Sequence, residues 1–223
     1  MRPRYWVSRG LRILMLAGLL LILVIAALRV VPPPITHTQW SEANRLGSIK
    51  REWVALSTLP RHVPLSAMAA EDANFCLHWG FDIAAIRAAI DAGARRGASG
   101  ISQQTAKNVF LWQGRSWIRK GLEAGFTVLI EVLWGKRRII EVYLNVAEFD
   151  TGVFGIEAAA LHHFGVPAAR LTPTQAARLM AVLPDPKGRS AVRPGPVTQR
   201  VARRAAAGAQ TLAVDGRGTC VDG

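Results

Sequence analysis

The longest apolar run, Leu11 to Val31, reads LRILMLAGLLLILVIAALRVV, and the sixteen residues between Arg12 and Arg29 carry no charge. As a helix the full stretch is about 31 Å long, enough for a hydrocarbon core of about 30 Å when the arginines at its ends reach to the interfaces. Arg2, Arg4, Arg9 and Arg12 keep the N-terminus on the cytoplasmic side and send the rest across. A signal peptide is the competing reading. The run is long for one, no A-x-A site directly follows it, and Pro32-Pro33-Pro34 makes a stiff exit instead. The pattern divides the chain into a cytoplasmic segment 1–10, an anchor 11–31, a connecting region 32–64, a core 65–190 and a basic tail 191–223.

Beyond the anchor the pattern is mostly helical. Residues 65–78 form a first helix, which Pro64 can open and Gly80 can close. Ile83, Ile86 and Ile90 recur at helical spacing in an Ala-rich second helix to Ala94, and Arg95 to Gly100 is a loop. A short helix over 101–110 follows. Ser116 can cap a long helix in which Leu122, Phe126, Leu129, Ile130 and Leu133 make an apolar stripe. Gly135 breaks it before a helix over Ile139 to Asn145, and Gly152 and Gly155 flank a turn before Ile156 to Phe164. Thr172-Pro173-Thr174-Gln175 is a capping box that opens a helix ending before Pro184. Val197 to Val214 has helical composition with Arg200, Arg203 and Arg204 clustered, either on the membrane or solvated. Strand patterns are scarce, so the fold class is mainly α.

Charge narrows the partners. Of the net +13, four units sit in residues 1–12 and five in 187–223, which leaves four for everything between. The balance suits an anionic partner such as anionic lipid or a phosphorylated substrate. A core so mildly basic, placed outside the cytoplasmic membrane, disfavours nucleic acid. Two cysteines make no disulfide framework: Cys76 reads as a small core residue and Cys220 lies in a Gly-rich tail with a disordered composition. No cysteine–histidine spacing resembles a zinc site.

Three polar sets need explaining. Glu71 and Asp72 are adjacent carboxylates in the first core helix, where helical spacing puts Glu71, Phe75 and His78 on one face. A carboxylate on a partly apolar face is costly unless paired or chemically employed, although a rim position is the plainer reading. Ser99, Gln103, Gln104, Lys107 and Asn108 sit at a loop-to-helix junction, where they could also be a solvated face. Arg119, Lys120 and Glu123 form the third set; alone, Arg119 and Glu123 at i, i+4 would be a weak surface ion pair.

The order, spacing and identity of the three sets together resemble the peptidoglycan glycosyltransferase family (glycosyltransferase family 51), most closely its single-domain monofunctional members. The pattern E-D-x-x-F-x-x-H-x-G is met by Glu71, Asp72, Phe75, His78 and Gly80. G-[GA]-S-T-I-x-Q-Q-x-x-K-N appears as Gly97 to Asn108, and R-K-x-x-E as Arg119, Lys120 and Glu123. K-x-x-I-[IL]-E-x-Y-L-N spans Lys136 to Asn145, G-x-x-G-I-E-x-A-A spans Gly152 to Ala160, and Leu179 to Pro186 resembles the closing L-x-x-L-P-x-P. The likeness covers roughly residues 40–190. One departure stands out: the family's threonine is Gly100 here, which removes a hydroxyl near the donor phosphates and loosens the loop.

The resemblance implies a lysozyme-like α-helical glycosyltransferase domain that polymerises lipid II. The growing lipid-linked glycan is the donor, the 4-hydroxyl of the next lipid II is the acceptor, and a β-1,4 bond forms with inversion as undecaprenyl pyrophosphate leaves. Glu71 and Glu123 are the implied catalytic residues, Glu71 as general base with a raised pKa. Asp72, Phe75, His78, Ser99, Gln103, Gln104, Lys107, Asn108, Arg119 and Lys120 are the implied substrate-binding residues, with the cations stabilising the pyrophosphate. A divalent cation, Mg²⁺ or Mn²⁺, is expected, with Glu123 as a candidate ligand. The expected place is the bacterial inner membrane: single-pass, N-terminus cytoplasmic, catalytic domain periplasmic, alongside cell-wall synthesis or division proteins. A lysozyme-like hydrolase and a membrane-anchored scaffold are the alternatives. The cationic set argues against a hydrolase of neutral glycosidic bonds.

Overall fold

The computed structural model describes residues 3–93, 99–114 and 116–222, the first six of these as backbone only. It is mainly helical, as the periodicity predicts. The first helix, α1 (Pro3–Ala27), contains the apolar stretch Arg9–Ala27, of mean hydropathy 2.6 and long enough to cross a membrane. The helix stops at Ala27, four residues before the expected end of the anchor, and its end and the turn after it dock on the domain. Trp134 Nε1 donates to Ile25 O at 2.7 Å, and the Arg138 guanidinium donates to the Leu28 and Val31 carbonyls. These bonds satisfy part of the helix C-terminus that an isolated anchor would leave open.

The connecting region holds more structure than its mixed composition suggests. Thr36 caps α2 (His37–Leu46) in a reciprocal box with Gln39, and β1 (Lys50–Arg51) follows. The first core helix, α3 (His62–Glu71), ends seven residues before its expected end. Asp72 leaves the helix, and a turn leads to a single 3-10 turn at Phe75–Leu77. Asp and Asn offer the chain side-chain bonds that compete with helix continuation: Asp72 reaches another helix, and Asn74 Nδ2 donates to Asp82 at 2.8 Å. Glu71, Phe75 and His78 therefore do not share a helical face. Gly80 has φ +77, but it lies in a turn that presses against Thr127 and does not close a helix.

After α4 (Ile83–Asp91), part of the expected Arg95–Gly100 loop, residues 95–98, lies outside the described residues. The short helix α5 (Ile101–Phe110) and the Ser116-capped α6 (Trp117–Leu133) stand as expected. Helix α6 turns Ile130 and, partly buried, Phe126, Leu129 and Leu133 to the core as expected, but not Leu122 of the same stripe. Its buried side carries Arg119, Glu123, Thr127, Ile130 and Glu131, while Ile118, Leu122, Val128 and Val132 are exposed. The inward polar side survives because it is paired: Ser102 Oγ and Lys136 Nζ both donate to Glu131, and Arg119 and Lys120 hold Glu123. Next come α7 (Lys136–Val146), β2 (Glu148–Asp150), β3 (Val153–Phe154), α8 (Ile156–Phe164) and α9 (Pro173–Val182). The small sheet has the order β1-β3-β2, with β1 parallel and β2 antiparallel to β3.

The expected core boundary at residue 190 falls short of the packing. Helix α10 (Pro196–Val214) lies against α3 and α9, burying Ala202, Ala205, Ala209 and Leu212. Gly208 sits where a Cβ would come within 2.8 Å of the Ala69 Cβ, so small residues let the two helices close together. Arg200, Arg203 and Arg204 stay exposed. The cysteine expectation is also corrected. Cys76 and Cys220 form a disulfide across 144 residues, with Cα atoms 5.6 Å apart. The tail thereby holds the segment that follows Asp72.

A bond closing so long a loop restricts the unfolded chain by about 4–5 kcal/mol in the chain-entropy view. Cys76→Ser is expected to lower the denaturant midpoint of the detergent-solubilised protein. Reductant should lower the wild-type midpoint comparably and leave the variant unchanged.

Candidate functional site

The site begins with the end of α3. Glu71 is its last residue, and the turn at Asp72 aims the two carboxylates in different directions. The side chain of Asp72 is buried. Its Oδ1 meets His78 Nε2 at 2.9 Å and its Oδ2 accepts from the Ile101 N–H at 3.0 Å. Helix α5 starts at Gly100, which has no side chain to cap it; Asp72 caps it from a distance, with its charge at the positive end of the helix dipole. Gly100 is what makes room. A Cβ there would fall 2.2 Å from Asp72 Oδ2. At Gly100 the structure shows instead a close approach, and a threonine there would require the Asp72 carboxylate to shift.

Gln104, one turn into α5, links both sides of the cleft. Its Nε2 donates to Glu71 Oε2 at 2.8 Å and to the Ser99 carbonyl at 3.1 Å, while its Oε1 accepts from the Tyr143 hydroxyl at 3.3 Å. Burial pushes the Glu71 pKa up and the neighbouring Asp72 charge adds to it; Gln104, Arg189 and Lys107 pull the other way. The raised direction is the one expected from sequence. Burial likewise drives the Tyr143 phenol well upward, helped by Glu71 and Asp72, and keeps it a neutral donor.

The cations gather from α5 and α6. Lys107 is pushed down by burial first and by Arg119 and Lys120 as well, with Glu123 and Glu71 opposing. Glu123 is buried and accepts from Arg119 Nη1 at 2.7 Å on one oxygen and from Lys120 Nζ on the other. Arg119 Nε also donates to the Gly114 carbonyl at 2.8 Å, and Lys120 Nζ reaches Ser99 Oγ at 3.0 Å. A cleft of about 500 Å³ is walled by Gln104, Lys107, Asn108, Tyr143 and Lys187. A second, of about 330 Å³, is walled by Glu71, Asn74, Ser99 and Gly100. The Glu71–Gln104 pair spans from one to the other.

Two residues expected to bind substrate are placed elsewhere. Phe75 is fully buried in the core, with Lys136 Nζ 4.5 Å above its ring. Gln103 is buried and turns its Oε1 to the Gly100 N–H at the start of α5. Asp72 and His78 bond to each other inside the loop, and Asp72 also lines the smaller cleft beside Glu71. Glu123 does not fit a metal ion: each of its oxygens already faces a cation. Asp72, His78 and Asp82 are close enough to suggest a cation site, but Asp82 accepts from Ala85 N and Asn74 Nδ2, and Asp72 is engaged as described. Sequence reasoning missed Tyr143, Arg189 and Lys187. Tyr143 lay in plain view within the Lys136–Asn145 motif. Lys187 bridges Glu42 at 2.9 Å and Glu148 at 3.6 Å, contacts no local spacing announces.

A family model described as transglycosylase matches residues 39–212. A biosynthetic peptidoglycan transglycosylase of Jannaschia sp. (strain CCS1) is 54% identical over 217 residues, covering 97% of this chain and 90% of that protein. One from Xanthomonas campestris pv. campestris (strain B100) is 49% identical, covering 89% of this chain and 87% of the relative. One from Pseudomonas aeruginosa is 51% identical over 193 residues, 81% of this chain and 83% of the relative.

Two outcomes follow from the geometry. Gly100→Thr must displace the Asp72 carboxylate and is expected to lower stability by about 1–3 kcal/mol, read as a fall in denaturant midpoint, with a loss of activity. Glu71→Gln keeps the bond to Gln104 and removes a half-buried charge. An acid with a raised folded pKa favours the folded state fully below its unfolded pKa and loses that as pH rises through the folded value. The variant should therefore melt higher than wild type at pH 7–8, and the gap should close at pH 4, as thermal melts across pH will read.

Proposed function

As the chain belongs to the transglycosylase family, we propose that its cleft joins lipid II disaccharide units into glycan strands by inverting β-1,4 transfer, releasing the lipid pyrophosphate. The observation that carries this reading is one half-buried carboxylate of raised pKa, Glu71, near a held set of cations. An acceptor hydroxyl is a poor nucleophile, and a base with a raised pKa is matched to taking its proton. The departing pyrophosphate develops negative charge; in this reading Lys107, on the wall of the larger cleft, receives it, with Arg119 and Lys120 supplying further positive charge from their own surface recess. Glu123 orients these cations. Gln104 fixes the Glu71 carboxylate, and Asn108 and Ser99 offer polar contacts to sugar or phosphate. Asp72 and His78 hold the start of α5 and so the position of Glu71, and Asp72 also stands on the wall of the smaller cleft. No step is assigned to a divalent cation, since Glu123 already serves two side-chain cations.

The hydrolase and scaffold readings are not favoured by relatives of this identity over this length. Membrane residence is supported by the apolar α1 and by the exposed apolar side of α6, whose C-terminal end is bonded to α1. Periplasmic placement of the domain is supported by the Cys76–Cys220 bond, since disulfides persist in oxidising compartments.

Incubation of the purified protein with labelled lipid II tests the reading. Long glycan strands are expected from wild type. Glu71→Gln should reduce the rate by about 10²–10⁴-fold, the usual worth of a positioned general base. Unchanged strand growth by Glu71→Gln defeats the assignment, and fragments released from preformed glycan point to hydrolysis instead.

A further inference from the structure

Away from the cleft, β2 and α8 bring three donor side chains to one point. The Nε2 atoms of His162 and His163 face the same Asp150 oxygen, Oδ2, at 3.5 Å and 3.7 Å. The other Asp150 oxygen accepts from the Thr151 N–H at 2.7 Å, which fixes the carboxylate and leaves Oδ2 to the histidines. The His163 side chain is 5% exposed, and its Nε2 is buried with no hydrogen-bond partner. A buried polar atom left unpaired is costly, so it calls for an occupant.

The Phe149 backbone carbonyl stands against the same imidazole. With Nε2 unpartnered, Nδ1 is the nitrogen that can donate to it. A proton held on Nδ1 leaves the Nε2 lone pair free, the tautomer of a metal-ligating histidine with an outer hydrogen bond. All three donor atoms lie within 4.8 Å of one another. Ligand atoms of a tetrahedral zinc site, with bonds of about 2.0–2.2 Å, are spaced about 3.3–3.6 Å apart.

We propose that Asp150, His162 and His163 form a binding site for a divalent metal of the zinc class, with the fourth position open to water. Two imidazoles and one carboxylate suit Zn²⁺ better than Mg²⁺ or Ca²⁺, which prefer all-oxygen shells. His162 also walls a shallow cleft of about 420 Å³ with Lys50, Arg51 and Glu52, which gives the ion a route from solvent. Lys50 Nζ lies 3.1 Å from His162 Nδ1. A metal on Nε2 puts the proton on Nδ1, so the ammonium swings away; its exposed, four-carbon stem permits this. The bound ion clasps β2 to α8. The site stands apart from the glycosyl-transfer reading and does not depend on it.

The full-length protein in detergent, made without a polyhistidine tag and stripped with chelator, tests the site. It is titrated with Zn²⁺ against a chromophoric chelator, and with Co²⁺ as a spectroscopic probe. One equivalent of Zn²⁺ should bind, and Co²⁺ should give visible bands of tetrahedral intensity. His162→Ala, His163→Ala and Asp150→Asn should each weaken binding by at least about tenfold, and Zn²⁺ should raise the melting temperature of wild type but not of His162→Ala. His162 is exposed, so its variant remains informative even if His163→Ala misfolds. The proposal is overturned if wild type binds no saturable equivalent. It is equally overturned if His162→Ala and Asp150→Asn bind as tightly as wild type, which would place the ion elsewhere, for instance at Asp72 and His78.

Discussion

The hydrogen bond from the Ile101 N–H to the Asp72 carboxylate joins the two helices on which the cleft is built. Helix α5 begins at a glycine and cannot cap itself, so its first donors depend on a side chain 29 positions earlier. That dependence sets further conditions. The Asp72 carboxylate takes the space a Cβ on Gly100 would fill, and His78 holds its second oxygen. The loop carrying His78 must also stay in place, which the disulfide at Cys76 secures by tying it to the C-terminal tail. Because Glu71 immediately precedes Asp72, the same bond brings its carboxylate within reach of Gln104. A structural cap and a chemical group are thus two neighbouring residues with separate duties.

Burial acts on the site's two signs of charge in opposite directions. It raises Glu71 and lowers Lys107, moving both toward neutrality. Left unchecked, this would discharge the cleft. Gln104 and the cations hold Glu71 back, while Glu123 holds Lys107 charged and fixes Arg119 and Lys120. The result is a base that is easily protonated beside cations that are not free to follow it. Such fixed groups stabilise developing charge without having to reorganise during the reaction.

Local signals in the sequence carried the elements well where one side chain decides the outcome. Ser116 and the Thr172 box place their helices correctly, and the Gln104 and Lys107 face of α5 lines the cleft. Signals failed where a distant partner decides. Pro64 and Gly80 bracket a plausible helix, but Asp72 finds a better bond in α5 and the chain turns. Phe75 and Gln103 sit in motif positions for packing and helix initiation, and motif membership alone cannot separate those roles from substrate contact. Val197 to Val214 reads as a basic helix on the membrane or in solvent, not as part of the core, because its packing face is made of alanines, whose periodicity is faint. Only the close approach of Ala69 to Gly208 shows why small residues are required.

The two sides of α6 link chemistry to the membrane. A helix that turns Arg119 and Glu123 inward is stable only because those groups neutralise one another. A helix that leaves Ile118, Leu122, Val128 and Val132 outward exposes an apolar strip that water does not favour. The strip runs toward the end of α6 that is bonded to α1, so a lipid surface reached by the anchor is also reached by the helix. In the proposed reaction the leaving group is half lipid and half diphosphate. One side of α6 suits the first half and its opposite side suits the second. The same seventeen residues would then hold the diphosphate and keep the polyprenyl chain in the bilayer, so that transfer requires no extraction of the lipid.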